Sequence, residues 1–229
     1  GPAADLRYAQ LDGVSISGTG ATLAGARLTY AHLAGADLSG LNLADANLDL
    51  AHLSGASLTG ANLSNASLCA YASGANFTGA NLTRATLCRS FPGSDFSGAN
   101  LESAHLGGDF SQAIFMGANF TSATLNGTFD GTKFTNANLA KSSLKWASFT
   151  DSDLANATLA SAYVAYTAFG SANMAQVNFE DAYILDVSFD GTDLSQTNLN
   201  VRSSGGISGT PSALPAGWSL LNGSFTLNP

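Results

Sequence analysis

Ala21 to Leu68 reads ATLAG ARLTY AHLAG ADLSG LNLAD ANLDL AHLSG ASLTG ANLSN ASL, a five-residue cycle. Leucine falls at 23, 28, 33, 38, 43, 48, 53, 58, 63 and 68, and an alanine precedes each by two residues except where Leu41 stands in its place. A period of five matches neither the helical 3.6 nor the strand 2. It is satisfied by a short extended piece plus a corner. Residues i−2 and i of an extended piece point to one side, so the alanine and leucine face in and the residue between them faces out. The two residues that follow are mostly small, polar or Gly, the types that turns favour. A coil built this way cannot bury its own core, so coils must stack into a solenoid.

The number of sides follows from the irregularities. Upstream, Leu6, Leu11 and Ile16 keep the step of five, with Ala4 and Ala9 in the alanine slot; the step of seven to Leu23 predicts a two-residue bulge at Thr19-Gly20. Beyond Leu68 the step shortens to four from 68 to 72, 87 to 91, 106 to 110 and 125 to 129, a recurrence of nineteen residues, or 5+5+5+4. Four-sided coils stack all these short steps at one corner, whereas three-sided coils scatter them. On the same count Phe91, Phe110, Phe129, Phe149, Phe169 and Phe189 fall on one inner face in successive coils, and Phe77, Phe96, Phe115 and Phe134 on the adjacent one. About forty core positions give about ten coils, a rod of roughly 48 Å at ~4.8 Å per coil.

Tandem A(D/N)Lxx resembles the pentapeptide-repeat family and covers roughly 85% of the chain. The resemblance implies an all-β fold, a right-handed quadrilateral parallel β-helix, over residues 3–202. Residues 203–229 are then a capping segment. Val201 to Pro215 reads as an irregular loop, and Trp218, Leu220, Asn222-Gly223, Phe225 and Leu227 as two short alternating stretches around a hairpin turn. A solenoid end exposes core and open strand edges, which such a loop and hairpin would cover. The string GTPSALPAGWSLLNG resembles the tail of some secreted-type actinobacterial members.

Charged residues make up only 10% of the chain and the net charge is −8. That balance argues against nucleic acid, anionic membrane or an acidic polymer as a partner. No apolar run reaches membrane-spanning length. Gly1-Pro2 reads as the scar of a cleaved tag, which leaves a leader peptide open.

The candidate sites each have a plain structural alternative. Asn42, Asn62, Asn81, Asn100, Asn119, Asn138, Asn178 and Asn198 share one outward slot, broken by Thr158; they are expected to bond neighbouring coil backbones rather than a repetitive ligand. His32 and His52 stack one coil apart, but Gln10 and Tyr71 flank them and nothing completes a metal shell, so no metal or cofactor is expected. His105 lies on a different side. No nucleophile and base converge, and the interior is expected to be filled by Ala, Leu and Phe, so the protein reads as non-enzymatic. Asp151, Asp153, Glu180, Asp181, Asp186, Asp190 and Asp193 occur with no Lys or Arg among them. This acidity resembles the family members that imitate duplex DNA and bind gyrase or topoisomerase, although those dimerise through a helical C-terminal element; its alternative is a solvated surface. Trp146, Tyr163, Tyr166, Tyr183 and Leu185, beside Lys145, fall on outward or corner slots of one side and form a candidate protein or glycan contact, or else a shield that packs under the tail. Cys69 and Cys88 are nineteen residues apart, one coil in this section. Their Cα atoms are therefore expected about 4.8 Å apart, within the span of a disulfide; the competing arrangement is two reduced thiols. The bridge suits an oxidising compartment and hence export; the resemblance of the tail implies a bacterial source, and the solenoid reads as a scaffold or interaction module with an unidentified protein or surface partner. The rival is a cytoplasmic gyrase or topoisomerase modulator. The scaffold is expected as a monomer or weak dimer, the rival as a stable dimer.

Overall fold

The computed structural model describes residues 3–17 and 22–228, and no helix occurs among them. Equivalent residues of successive coils pair in parallel along four columns. Column I runs through Asp5, Arg27, Asn47, Ser67, Thr86, His105, Thr124, Ser143, Tyr163, Tyr183 and Ser203. Column II runs from Gln10 through His32, His52 and Tyr71 to Ser208, column III from Ser15 to Ala213, and column IV from Thr22 to Asn198. Four columns make a four-sided parallel β-helix, as the recurring short steps predict. The bulge expected at Thr19-Gly20 lies outside the described residues.

Each coil is held from both sides. The Leu28 amide donates to the Asn47 carbonyl of the next coil (2.7 Å), and the Asn47 amide donates back to Ala26 (2.9 Å), a pattern that repeats along the rod. Corners are closed by a second bond, such as Ala31 N to Leu28 O at 3.0 Å, with Tyr30 at φ 61°. A positive φ at the third residue defines a type II turn, which favours Gly or Asn there. Non-glycine residues hold this position at many corners, among them Lys141, Trp146, Tyr166, Asp181 and Asp186. Where the step is four residues the turn disappears. The chain instead continues around the I–II corner as extended backbone, giving β1 (Ser67–Tyr71), β2 (Thr86–Ser90), β3 (His105–Leu106) and β4 (Thr124–Leu125), one parallel sheet. The backbones close up so tightly here that a Cβ on Gly127 would stand 2.2 Å from the Gly108 carbonyl oxygen. Glycine at 127 is thus required by close approach rather than by an unusual φ. Farther along column I, β5 (Tyr163–Ala165), β6 (Tyr183–Leu185) and β7 (Ser203–Gly205) form a second parallel sheet.

The interior is filled. Phe91, Phe110, Phe129, Phe149, Phe169 and Phe189 stack in one ladder at centroid spacings of 5.1, 5.1, 5.0, 5.3 and 5.5 Å. Phe77, Phe96, Phe115 and Phe134 stack in the adjacent one at 4.6, 4.8 and 4.9 Å. The two ladders meet at tilted or edge-on angles, for example 65° between Phe129 and Phe134, so each ring uses its face along the rod and its edge across it. The core differs from Ala, Leu and Phe alone. Ser94, Thr132, Ser142, Ser152, Thr167, Thr192 and Thr197 occupy the alanine slot and are buried. Each hydroxyl donates to a backbone carbonyl, as Thr132 does to Phe129 O at 2.6 Å and Thr192 to Phe169 O at 2.6 Å. A buried hydroxyl is tolerated only when bonded in this way.

The tail runs as loop and hairpin. Columns I, II and III continue past residue 202 to Ser203, Ser208 and Ala213, although the leucine cycle has ended. The hairpin β8 (Trp218–Leu221) and β9 (Ser224–Leu227) is antiparallel. It lies against the last coil: Ile207 N donates to Gly223 O at 2.9 Å, Phe225 N donates to Ser204 Oγ at 2.9 Å, and the buried Phe225 ring stands 5.8 Å from Phe189. Leu227 points to solvent.

The other end rests partly on carboxylates. Hydrogen bonding by Arg7 lowers the Asp5 carboxyl to about 2, and bonds from Ser17 and Ser39 lower Asp37 to about 2. A depressed carboxyl contributes stability that is present above its ordinary value and lost as pH falls through its folded value. Acidification from about pH 4 to about pH 2 is therefore expected to loosen the first coils before the middle of the rod. Amide exchange by NMR would show Leu6 and Leu11 losing protection ahead of Phe110; simultaneous loss would remove these carboxylates as the cause.

Candidate functional site

Cys69 and Cys88 sit opposite each other in β1 and β2 and are disulfide-bonded, with Cα atoms 4.3 Å apart. The bridge joins two coils where the I–II corner first loses its turn. The Cys69 amide also donates to Asp49 Oδ1 at 3.0 Å. By loop closure, a bridge spanning nineteen residues contributes about 3 kcal/mol. Alkylation without reductant is expected to leave the protein's mass unchanged, whereas two alkyl groups would show that both thiols are free.

The asparagine column is satisfied internally, but not as the pattern suggested. Asn119 Oδ1 accepts from the amide of Thr121, two residues on in its own coil, at 3.1 Å, while Asn119 Nδ2 donates to Asn100 Oδ1 at 3.1 Å. The partners are therefore the residue's own turn and the next asparagine side chain, not a neighbouring backbone. Both polar ends are used, so the column offers little to a ligand. His32 and His52 stack at 5.1 Å, and His52 stacks on Tyr71 at 5.5 Å. Arg89 lies over the Tyr71 ring at 5.3 Å and donates to its hydroxyl at 2.7 Å. No group of three or more metal-binding side chains occurs among the described residues. A shallow hollow of about 70 Å3 lies between Met174 and Ser195 and gathers no acid–base pair.

The aromatic residues gather as the spacing predicts. Tyr163 and Tyr183 are paired neighbours in column I, in β5 and β6. Trp146 and Tyr166 stand at the adjoining I–II corner, their rings 4.1 Å apart and 9° from parallel. The Lys145 ammonium lies 5.7 Å from the Trp146 ring and 5.9 Å from Tyr166, and the Arg202 guanidinium 5.6 Å from Tyr183. Trp146 is 61% exposed, Tyr163 40%, Tyr166 39%, Tyr183 42% and Leu185 39%. Tyr183 and Leu185 pair along the backbone with Ser203 and Gly205 at the start of the tail and still remain exposed. Because Trp146 and Tyr166 spend their facing surfaces on each other, the pair shows mainly ring edges and outer faces to solvent.

Assigning every charge to its side reveals a division that the linear run of acids does not. Arg7, Arg27, Arg84, Arg89, Lys141, Lys145 and Arg202 all lie on side I, meaning column I or the corners flanking it. Asp5, Asp45, Asp49, Glu102, Glu180, Asp181 and Asp186 share that side, which is therefore neutral in sum. Asp12, Asp37, Asp95, Asp109, Asp130, Asp151, Asp153, Asp190 and Asp193 lie on columns II and III or the corner between them, with Lys133 as the one cation there. The whole formal charge of −8 thus belongs to the II–III side. Several of these carboxylates are engaged within the rod. Asp130 accepts from Thr150 N at 3.0 Å, Asp190 from Thr210 N at 3.1 Å, and Asp153 from Asn173 Nδ2 at 2.8 Å.

Comparison with known proteins finds the same repeat along most of the chain. The sequence profile described as pentapeptide repeats matches residues 19–55, 36–70, 46–90, 69–108, 94–128, 129–162 and 167–200. No curated protein sequence matches the chain. Among solved structures, the chain is similar to HetL, a pentapeptide repeat protein involved in heterocyst differentiation regulation in the cyanobacterium Nostoc, at 20% identity and TM-score 0.38, covering 95% of this chain and 94% of that one. It is similar to a pentapeptide repeat protein of the Arabidopsis thaliana thylakoid lumen at 29% identity and TM-score 0.38, covering 39% and 64%. It is also similar to QnrB1, a plasmid-mediated fluoroquinolone resistance protein, at 18% identity and TM-score 0.44, covering 87% and 89%.

Proposed function

The chain belongs to the pentapeptide-repeat family, and on that premise we propose that it is an exported, non-enzymatic scaffold or interaction module that docks a protein on side I. The observation that carries this reading is the exposed group of Trp146, Tyr163, Tyr166, Tyr183 and Leu185. Aromatic side chains gathered on a rigid surface give large contact area at little entropic cost, and they dominate binding energy where they occur. The filled interior supports a role in contact rather than chemistry. The disulfide supports export, since such bonds persist in oxidising compartments.

The test places a photoreactive benzophenone side chain at Tyr163 in one variant and at Asp153, in column III on the opposite side, in another. Cross-linked protein is expected from position 163 in the native cells and not from 153. Products from 153 alone, or from neither, would overturn the reading.

The acidity of the II–III side favours one second reading, a DNA-imitating binder of gyrase or topoisomerase. A supercoiling assay separates the two: inhibition or protection of gyrase supports the imitation, and an unchanged supercoiling rate at saturating protein excludes it. The scaffold reading is preferred because Asp130, Asp153 and Asp190 are hydrogen-bonded within the rod rather than free for a partner.

A further inference from the structure

We propose that the occupant of side I is a second copy of this chain, bound face to face with its rod antiparallel, an inference that rests on side I being the contact surface. Charge excludes approaches through a II–III side, and the uncharged column IV presents asparagines already bonded to one another and to their own turns. Two copies carrying −8 each repel wherever a II–III side is presented, whereas side I is neutral in sum and apolar at its centre.

The arrangement along side I then selects one orientation. At the IV–I corner, Lys141, Ser161 and Asp181 stand one coil above another, each in the left-handed turn position. At the I–II corner the same three coils carry Lys145-Trp146, Ala165-Tyr166 and Leu185-Asp186. Between the corners lie Tyr163 and Tyr183. Cations thus occupy the lower coil and acids the upper coil, with aromatic rings running through all three. A twofold axis through the Tyr163 coil, perpendicular to the rod, inverts the order of the coils and keeps each corner facing its own kind. It brings Lys141 of one copy to Asp181 of the other, Lys145 to Leu185, Trp146 to Asp186, and Tyr163 and Tyr166 to their own counterparts, so that Lys145 and Asp186 stand one corner position apart across the interface. A patch that complements itself in this way is what an isologous interface requires. The parallel alternative sets Lys141 against Lys145 and Asp181 against Asp186, which like-charge repulsion forbids. Among the described residues none of these four charges has an ion-pair partner within its own chain, the only pairs being those of Asp5 with Arg7 and Arg27. A surface three coils tall is small beside the roughly 800 Å2 per partner of a standard interface, as for weak, reversible association.

Sedimentation velocity on the purified full chain, run as a concentration series, tests this. A reversible monomer–dimer equilibrium is expected. Lys141→Asp and Asp181→Lys each exchange one attraction for a repulsion twice per dimer, and each is expected to weaken association by at least about tenfold. The combined variant restores the pair with its signs exchanged and is expected to recover dimerisation. Both substitutions place at the turn a residue that the other corner position already carries, and unchanged circular dichroism melts would confirm intact rods. A chain that stays monomeric to millimolar concentration, or single variants that dimerise as well as the parent, would overturn the second copy. In that event, a benzophenone at 163 that still captures a different protein in cells leaves the contact surface standing. Its failure in cells and in the purified protein alike would overturn both.

Discussion

Replacing Phe129 by alanine is expected to cost about 3–5 kcal/mol, the range for truncating a fully buried aromatic ring. Its ring stacks on Phe110 at 5.1 Å and Phe149 at 5.0 Å, and meets Phe134 edge-on at 5.8 Å. Removing it takes one rung from the long ladder and the edge contact from its neighbour. The surrounding coils cannot collapse into the void, because their spacing is fixed by the backbone bonds of all four columns. The cavity therefore persists, and the loss lies toward the upper part of that range. Chemical denaturation of parent and variant would measure it. A loss under about 1 kcal/mol would mean that the ladders repack, and that backbone pairing rather than ring stacking holds these coils in register.

That ladder was legible before any coordinates, as was the four-sided body, because both depend only on counting. A core residue recurs every five positions, and the four shortened steps recur every nineteen, so any side chain can be assigned to its side by arithmetic. The aromatic group at Trp146, Tyr163, Tyr166 and Tyr183 followed from the same count. What counting missed has physical reasons. The small inward slot reads as alanine, yet serine and threonine fit it equally because each finds a carbonyl acceptor in its own coil or the preceding one. The column pattern points the asparagine side chains at neighbouring backbones, but their own turn lies closer in the chain and supplies an amide at the right place. The pairing of Ser203, Ser208 and Ala213 could not be read, since those coil residues keep the backbone bonds while Phe225, from the hairpin beyond, takes over part of the core. The charge division needed only that each Asp, Glu, Lys and Arg be assigned to its column. Read as a linear run, Asp151 and Asp153 appear to join Glu180 and Asp181, although the first pair lies at the II–III corner and column III and the second at the corner of IV and I.

Deleting residues 203–229 is expected to turn the rod into an aggregating species rather than a shorter soluble one. The deletion removes the last rungs of columns I, II and III together with the hairpin. Phe189, now covered by Phe225 at 5.8 Å, and Ile184 and Leu199 in the same coil would face water. The carbonyls of Ser208 and Ala213, which accept from the amides of Phe189 and Leu194, would be lost as well. Those amides would become part of an open parallel edge, with its apolar side chains beside it. Such an edge templates pairing with any other extended chain, including the same end of another molecule. A milder cut tests the hairpin alone. Removing residues 216–229 keeps the last rungs but uncovers Ile207 and Phe189, and is expected to lower the melting temperature while leaving the side I dimer intact, since Lys141 and Asp181 stand at the IV–I corner, outside the column I and II positions that the hairpin covers. Size exclusion with light scattering, followed by thermal melts, would read both variants. If the 203–229 deletion stays monodisperse and melts like the parent, the tail is not a cap, and the exposed coil edge tolerates water without it.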